Sequence, residues 1–168
     1  RAPADRVREI LDWLSAFDLD EAVLWCNAPA VEDLVASHGL DGNAGKGRDI
    51  WLALGLAAEA DYVALHDTDV RTHESRDLRK LVGPLAAGFD FVKAYYARVE
   101  NGQLFGRLFR LFVTPLLAAL RQRHDAPILR YLDGFRYALA GEMAMTGALA
   151  CRIRIPRRWG LEVGTLGE

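Results

Sequence analysis

Apolar positions along the chain alternate between helical and strand spacing, and that alternation predicts its elements. Val7, Ile10, Leu11 and Leu14 recur at helical intervals, which predicts a helix from Pro3 to about Phe17. Glu21–Cys26 contains the unbroken apolar run Ala22-Val23-Leu24-Trp25-Cys26 and reads as a buried strand. Asn27-Ala28-Pro29 then turns into a helix over Ala30–Ser37, which His38-Gly39 closes. A glycine-rich loop, Gly42–Gly47, precedes a helix over Arg48–Ala60 that offers Ile50, Trp51, Leu54, Leu56 and Ala57 for burial. Tyr62–Leu65 is a short, partly β-branched and aromatic strand run. Ser75 or Asp77 caps a helix to about Ala87, and Phe89–Ala97 is a further strand. Past a turn at Glu100-Asn101-Gly102, Leu104–Arg123 has a long helical pattern that Pro115 should kink or split. Asp125–Leu132 reads as a connector, Glu142–Ala150 as a helix and Arg152–Ile155 as a short extended segment ended by Pro156; the last element begins at Trp159-Gly160-Leu161-Glu162. Helices alternating with strands predict the α/β class, with a mostly parallel sheet flanked by helices.

Composition adds limits. A length of 168 residues suits one domain, 1–168, with a genuine core. A net charge of −2 argues against a nonspecific nucleic-acid binder. No apolar run approaches a membrane span, and no secretory signal opens the chain. Cys26 and Cys151 lack metal-ligand spacing and fit reduced thiols of a cytoplasmic protein. Arg1 opens the chain without a methionine, inside a helical pattern, and the chain stops at Gly167-Glu168 soon after a helix start; both ends read as those of a fragment.

The chemistry concentrates after Tyr62–Leu65, where the apolar run ends in His66-Asp67-Thr68-Asp69. In an open α/β sheet, ligands sit outside the carboxyl ends of strands. Two carboxylates there are expensive unless a partner compensates them. A hard divalent cation, Mg²⁺ or Mn²⁺, shared with substrate phosphates suits Asp67 and Asp69; an ordinary turn or cap is the alternative for so short a motif. Gly45-Lys46-Gly47 stands just before a helix, where glycines allow close backbone approach and the helix N-terminus with Lys46 attracts phosphate. The Walker spacing is absent. Strand alternation puts Phe91, Lys93 and Tyr95 on one face, so Lys93 either aims a cation at the sheet end or marks an edge strand. Gly106-Arg107 can hold a phosphate or carboxylate, or be solvated. Gly141-Glu142 and Gly160-Leu161-Glu162 each put an acid at an expected helix start, where the helix dipole alone accepts an acid. His66 reads as a hydrogen-bonded structural residue, His73 and His124 as surface residues. Arg152, Arg154, Arg157 and Arg158 form a basic patch that is either a solvated face or an aid to an anionic substrate.

In order along the chain, Gly45-Lys46-Gly47-Arg48-Asp49-Ile50-Trp51, Ala64-Leu65-His66-Asp67-Thr68-Asp69, Phe91-Val92-Lys93-Ala94-Tyr95-Tyr96, Gly106-Arg107-Leu108 with Thr114-Pro115-Leu116-Leu117, Phe135–Glu142 and Trp159-Gly160-Leu161-Glu162-Val163-Gly164 resemble the glucosyl-3-phosphoglycerate synthases and their mannosyl relatives. These are retaining glycosyltransferases of the Rossmann-like A-type nucleotide-sugar fold. The resemblance covers most of the chain beyond Glu21 and implies a donor and metal-binding half, about 1–97, and an acceptor-binding half, about 98–168. It implies a UDP- or GDP-linked glucose or mannose as donor, 3-phosphoglycerate as acceptor, and a glucosylglycerate-type compatible solute as the end use. Asp67 and Asp69 would hold Mg²⁺ or Mn²⁺ on the donor diphosphate. Gly45 and Lys46 would lie in the donor nucleotide site, Gly106 and Arg107 would hold the acceptor, and Lys93 and Glu142 fall within matched segments as further substrate-binding candidates. Glu162 would lie near the reacting centre and, with Asp69, carry the catalytic role. Phe109 stands where some relatives have a threonine near the acceptor. The related enzymes are often dimers, so a homodimer is compatible with the resemblance.

The expected chemistry is transfer of a sugar from a diphosphate. Charge developing on the leaving phosphate needs cations, and the acceptor hydroxyl needs a dry, fixed approach. The sequence offers no convincing covalent nucleophile; for the family, retention is explained by front-face attack. Two other readings compete. A haloacid dehalogenase-type phosphatase also places Asp-x-Asp after a strand, but Arg71 stands where Thr or Val usually follows. A truncated domain that binds nucleotide sugar without turnover is the non-catalytic reading.

Overall fold

Three short apolar runs pair into one sheet, and the order of pairing decides where the polar residues meet. The computed structural model describes residues 3–18, 20, 22–40, 45–97, 99–157 and 160–167. Its sheet contains β1 (Tyr62–Leu65), β2 (Phe91–Lys93) and β5 (Met143–Thr146) in the order β1-β5-β2. A separate two-stranded hairpin pairs β3 (Val99–Glu100) with β4 (Gln103–Leu104) around Asn101-Gly102, both in the left-handed region. The helices are α1 (Ala4–Leu14), α2 (Pro29–Ser37), α3 (Lys46–Leu56), α4 (Ser75–Ala86), α5 (Thr114–Arg123), α6 (Pro127–Asp133), and the single turns α7 (Gly147–Ala150) and α8 (Leu161–Gly164).

The α/β class holds, but the expected mostly parallel pairing is corrected in this sheet. β5 is antiparallel to both neighbours, with Leu65 and Lys93 each opposite Met143. The expected helix over Glu142–Ala150 is the central strand β5 followed by α7. Met143, Ala144 and Met145 are fully buried, and burial on both faces overrides the helical preference of Met and Ala. The register sorts side chains by face. Val63, Met143 and Met145 pack with Leu54 of α3 and Ala150 of α7, with Leu65, Phe91 and Ile153 against them. On the other face Ala144 packs with Leu81 and Leu85 of α4, beside Ala64 and Val92. A third cluster joins Phe109, Ala138 and Leu166.

Several other elements differ from the sequence expectation. Residues 22–25 lack ladder pairing among the described residues and are not a strand. The strand expected over Phe89–Ala97 shrinks to Phe91–Lys93, and Arg152–Ile155 is irregular. Asp125–Leu132 is not a connector; Pro127 opens α6 at a position where its missing N–H is harmless. The pattern over Leu104–Arg123 splits into β4, a π-helical turn at Phe109–Val113, and α5, which accommodates Pro115 in its first turn. Neither Ser75 nor Asp77 is the N-cap of α4. Glu74 is, in a reciprocal capping box with Asp77. The first half of the Gly42–Gly47 loop, residues 42–44, and Arg158 and Trp159 fall outside the described residues.

Candidate active site

Because β5 runs against β1 and β2, its first residue lies where both of those strands end. The chain leaves β1 through His66 and Asp67, leaves β2 through Ala94, and enters β5 through Gly141 and Glu142. The Ala94 amide donates to the Glu142 carbonyl at 3.0 Å, extending the β2–β5 ladder by one step. The approach at Gly141 is so close that a Cβ there would lie 1.9 Å from Asp67 Oδ2, so a side chain at this position would displace the carboxylate.

Lys46, the first residue of α3, joins two distant parts of the chain. Its Nζ donates to Asp67 Oδ1 at 2.9 Å and to Glu162 Oε1 at 3.0 Å. Burial opposes its charge, but the hydrogen bonds and charges of both carboxylates outweigh that and hold the Lys46 pKa above its ordinary value. Gly45 is the N-cap of α3 in an extended conformation. Gly47 lets α3 meet the Pro156–Arg157 segment: a Cβ on it would lie 1.7 Å from the Pro156 carbonyl oxygen, and the Arg48 amide donates to the Arg157 carbonyl. Arg48 anchors the same helix from below, with a two-pronged pair to Glu32 and a bond to the Cys26 carbonyl. Glu162 sits in the first turn of α8, after Gly160 in the left-handed region.

Lys93 closes β2 with its Nζ donating to the Ala140 carbonyl at 2.7 Å. Burial pushes its pKa down to about 8, and the Lys46 charge adds to that against the opposing pull of Glu162 and Asp67. Asp67, Asp69, Lys93 and Glu142 all line an open cleft of about 1020 Å³, together with the cations Arg71 and Lys80. Asp69 is exposed there, and among the described residues no hydrogen bond or ion pair engages its carboxylate.

The structure does not bring every candidate to this point. Gly106 takes φ +90° near the Tyr137 hydroxyl, while Arg107 is exposed and outside the cleft lining. Arg152, Arg154 and Arg157 are exposed and also outside it. Glu142 is corrected in context: it opens a buried strand rather than a helix, and is itself buried. His73, read from sequence as a surface residue, is drawn in. Its Nε2 lies 3.2 Å from the Asp67 carbonyl oxygen and 3.3 Å from Glu142 Oε1, and its ring meets that of His66 edge to face. Two histidines flanking the acidic pair seven residues apart were visible in the sequence; the buried carboxylate that unites them was not, because it depends on the placement of β5.

Comparison with known proteins defines the class first: an A-type nucleotide-sugar glycosyltransferase fold. The glucosyl-3-phosphoglycerate synthase of Mycobacterium tuberculosis, solved with Mn²⁺, uridine-diphosphate-glucose and phosphoglyceric acid, superposes with a TM-score of 0.59 at 27 % identity, covering 83 % of this chain and 49 % of that one. Sequence relatives narrow the class. The glucosyl-3-phosphoglycerate synthase of Methanococcoides burtonii is 42 % identical over 170 residues, covering 95 % of this chain and 42 % of the relative. That of Persephonella marina is 38 % identical over 179 residues, covering 100 % of this chain and 44 % of the relative. No protein-family model matches the chain. Over the segment it spans, the chain is similar to the glucosyl-3-phosphoglycerate synthases, and that segment is less than half the length of these curated relatives. The relatives leave the phosphatase reading without support.

Proposed function

We propose that this chain supplies the donor and metal site, and part of the acceptor site, of a metal-dependent retaining glycosyltransferase that moves glucose from UDP-glucose to 3-phosphoglycerate. The observation that carries the reading is the Lys46 bridge between Asp67 and Glu162, which gathers three motifs of the family at one strand end. The relatives' names and the ligands of the mycobacterial structure support the donor and acceptor. Residues from about 1 to 97 form the donor half and those from about 98 to 168 the acceptor half. A cytoplasmic location fits reduced thiols at Cys26 and Cys151, and no helix among the described residues is long and apolar enough to cross a membrane.

The residues present fit a hard divalent cation. Asp69 offers an exposed, unengaged carboxylate in the cleft, and Gly141 leaves room for the Asp67 carboxylate beside it. Mg²⁺ or Mn²⁺ held by Asp67 and Asp69 would supply Lewis-acid stabilisation of the diphosphate leaving group. Lys46 fixes the Asp67 and Glu162 carboxylates relative to each other, so the acid nearest the reacting sugar is oriented before substrate arrives. Arg71, Lys80 and Lys93 place cations among the carboxylates of the cleft, available to the phosphates of donor and acceptor. Gly45, opening α3, lets the nucleotide approach the helix N-terminus, and Gly106-Arg107 meets the acceptor carboxylate or phosphate when the rest of the protein completes the site.

The test is a transfer assay with UDP- and GDP-linked glucose and mannose, 3-phosphoglycerate and Mg²⁺, run beside calorimetry of UDP-glucose binding. Turnover with UDP-glucose, falling about 100-fold or more in a folded Asp69→Ala variant, is expected. Unchanged turnover in that variant sinks the metal assignment. Binding without turnover turns the reading into that of a non-catalytic nucleotide-sugar domain.

A further inference from the structure

Glu142 is an anomaly that sugar transfer does not explain. Its Oε1 is fully buried and accepts no hydrogen bond among the described residues, and only 9 % of its side chain is exposed. A buried, uncompensated carboxylate oxygen is expensive. Two imidazole nitrogens face that oxygen: His73 Nε2 at 3.3 Å and His66 Nδ1 at 3.6 Å. The three atoms lie within 4.8 Å of one another.

We propose that His66, His73 and Glu142 form a second metal site, selective for a borderline transition ion of the Zn²⁺ class and separate from the Asp67–Asp69 pair. The spacing fits. Bonds of about 2.05 Å around tetrahedral Zn²⁺ put neighbouring ligand atoms about 3.3 Å apart, close to both carboxylate–imidazole separations. The donor set of two imidazoles and one carboxylate favours Zn²⁺, Co²⁺, Ni²⁺ or Fe²⁺ over Mg²⁺, which prefers oxygen ligands alone. Three protein ligands leave a fourth position open to water from the cleft that Glu142 and His73 line. An ion there compensates the orphaned Oε1. It also ties the segment after β1, which bears Asp67 and Asp69 between the two histidines, to the start of β5. The site therefore acts as a clip that fixes the loop presenting the two acids. It uses no side chain of Asp67, Asp69, Lys46 or Glu162, and a ligating His73 Nε2 exchanges its contact with the Asp67 carbonyl for the ion, so it stands independently of the transferase reading.

Co²⁺ alone, titrated into the chelator-stripped protein, tests this by visible absorption. One equivalent is expected to bind with the intense d–d bands of a low-coordinate nitrogen and oxygen site, and one equivalent of Zn²⁺ should remove them. His73→Gln and Glu142→Gln should each weaken Co²⁺ binding about 100-fold or more, while Asp69→Ala leaves the bands in place. His73 is partly exposed, and circular dichroism checks that both variants are folded. Absence of binding at millimolar Co²⁺ overturns the proposal. Bands that survive His73→Gln but vanish in Asp69→Ala also overturn it, by placing the ion on the acidic pair. UDP-glucose binding with Mg²⁺, measured on the same samples, reports on the transferase reading alone.

Discussion

Lys93 carries a titration that stability measurements can isolate. Its folded pKa, about 8, lies below the ordinary lysine value of 10.5. Between those values the unfolded chain holds a proton that the folded chain has released, so unfolding free energy rises with pH across that window. The cost of burying the charged amine is fully present below pH 8 and gone above pH 10.5. At about 1.36 kcal/mol per pH unit the displacement corresponds to about 3.4 kcal/mol. About 2 kcal/mol of that is recovered between pH 7 and 9.5, and solvent screening of this partly exposed side chain reduces the gain to roughly 1 kcal/mol. Lys93→Met removes the titration and, with it, the hydrogen bond to the Ala140 carbonyl. The donor passes from ammonium to amine in the same titration, so the slope isolates the ionisation of Lys93. Urea unfolding of both proteins at pH 7, 8, 9 and 9.5 should show wild type gaining on the variant by roughly 1 kcal/mol, since the other titrations cancel in the difference. A difference that is flat, or that falls as pH rises, refutes the buried-charge argument.

Gly141→Ala would place a methyl 1.9 Å from Asp67 Oδ2 and 2.6 Å from its Cγ, forcing that side chain off Lys46. Calorimetry should show metal-dependent UDP-glucose binding weakened about tenfold or more with the fold intact; unchanged affinity would mean that Asp67 does not hold the ion. Gly47→Ala meets backbone instead, at the Pro156 carbonyl. An alanine inside a helix normally stabilises, but here overpacking should destabilise by about 1–3 kcal/mol in urea unfolding, and a stabilised variant would refute the close approach of α3 to Pro156.

What the sequence showed most clearly was what short-range chemistry dictates. Tyr62–Leu65 forms a strand ending at the two aspartates, Pro29 opens α2, and the helix expected from Arg48 is α3, which begins two residues earlier at Lys46. The ordered motifs also pointed to the glucosyl-3-phosphoglycerate synthases, to which the chain is 38–42 % identical. The losses come from distance along the chain. Met143–Thr146 consists largely of helix formers, and only pairing with β1 and β2 on both sides makes it a strand. The bounding glycines, Gly141 and Gly147, were the available signal, since a short apolar run between breakers suits a buried strand. Residues 22–25 show the converse: an apolar run without a ladder among the described residues does not become a strand. His73 was missed because its partner Glu142 is distant in sequence and arrives only with β5.

The Lys46–Glu162 bond spans 116 residues, and this bears on how the protein matures. Contacts of such sequence separation form late, because the intervening chain must first be confined. The sheet can assemble only after β5 has been made and threaded between β1 and β2. A nascent chain emerging from the ribosome therefore carries Lys46 and the two aspartates long before it carries Glu162 and the β5 segment that complete the cluster. Competence of the cleft should appear with the last, rate-limiting phase of refolding, and regain of ligand binding would then be a kinetic clock for closure of the whole chain.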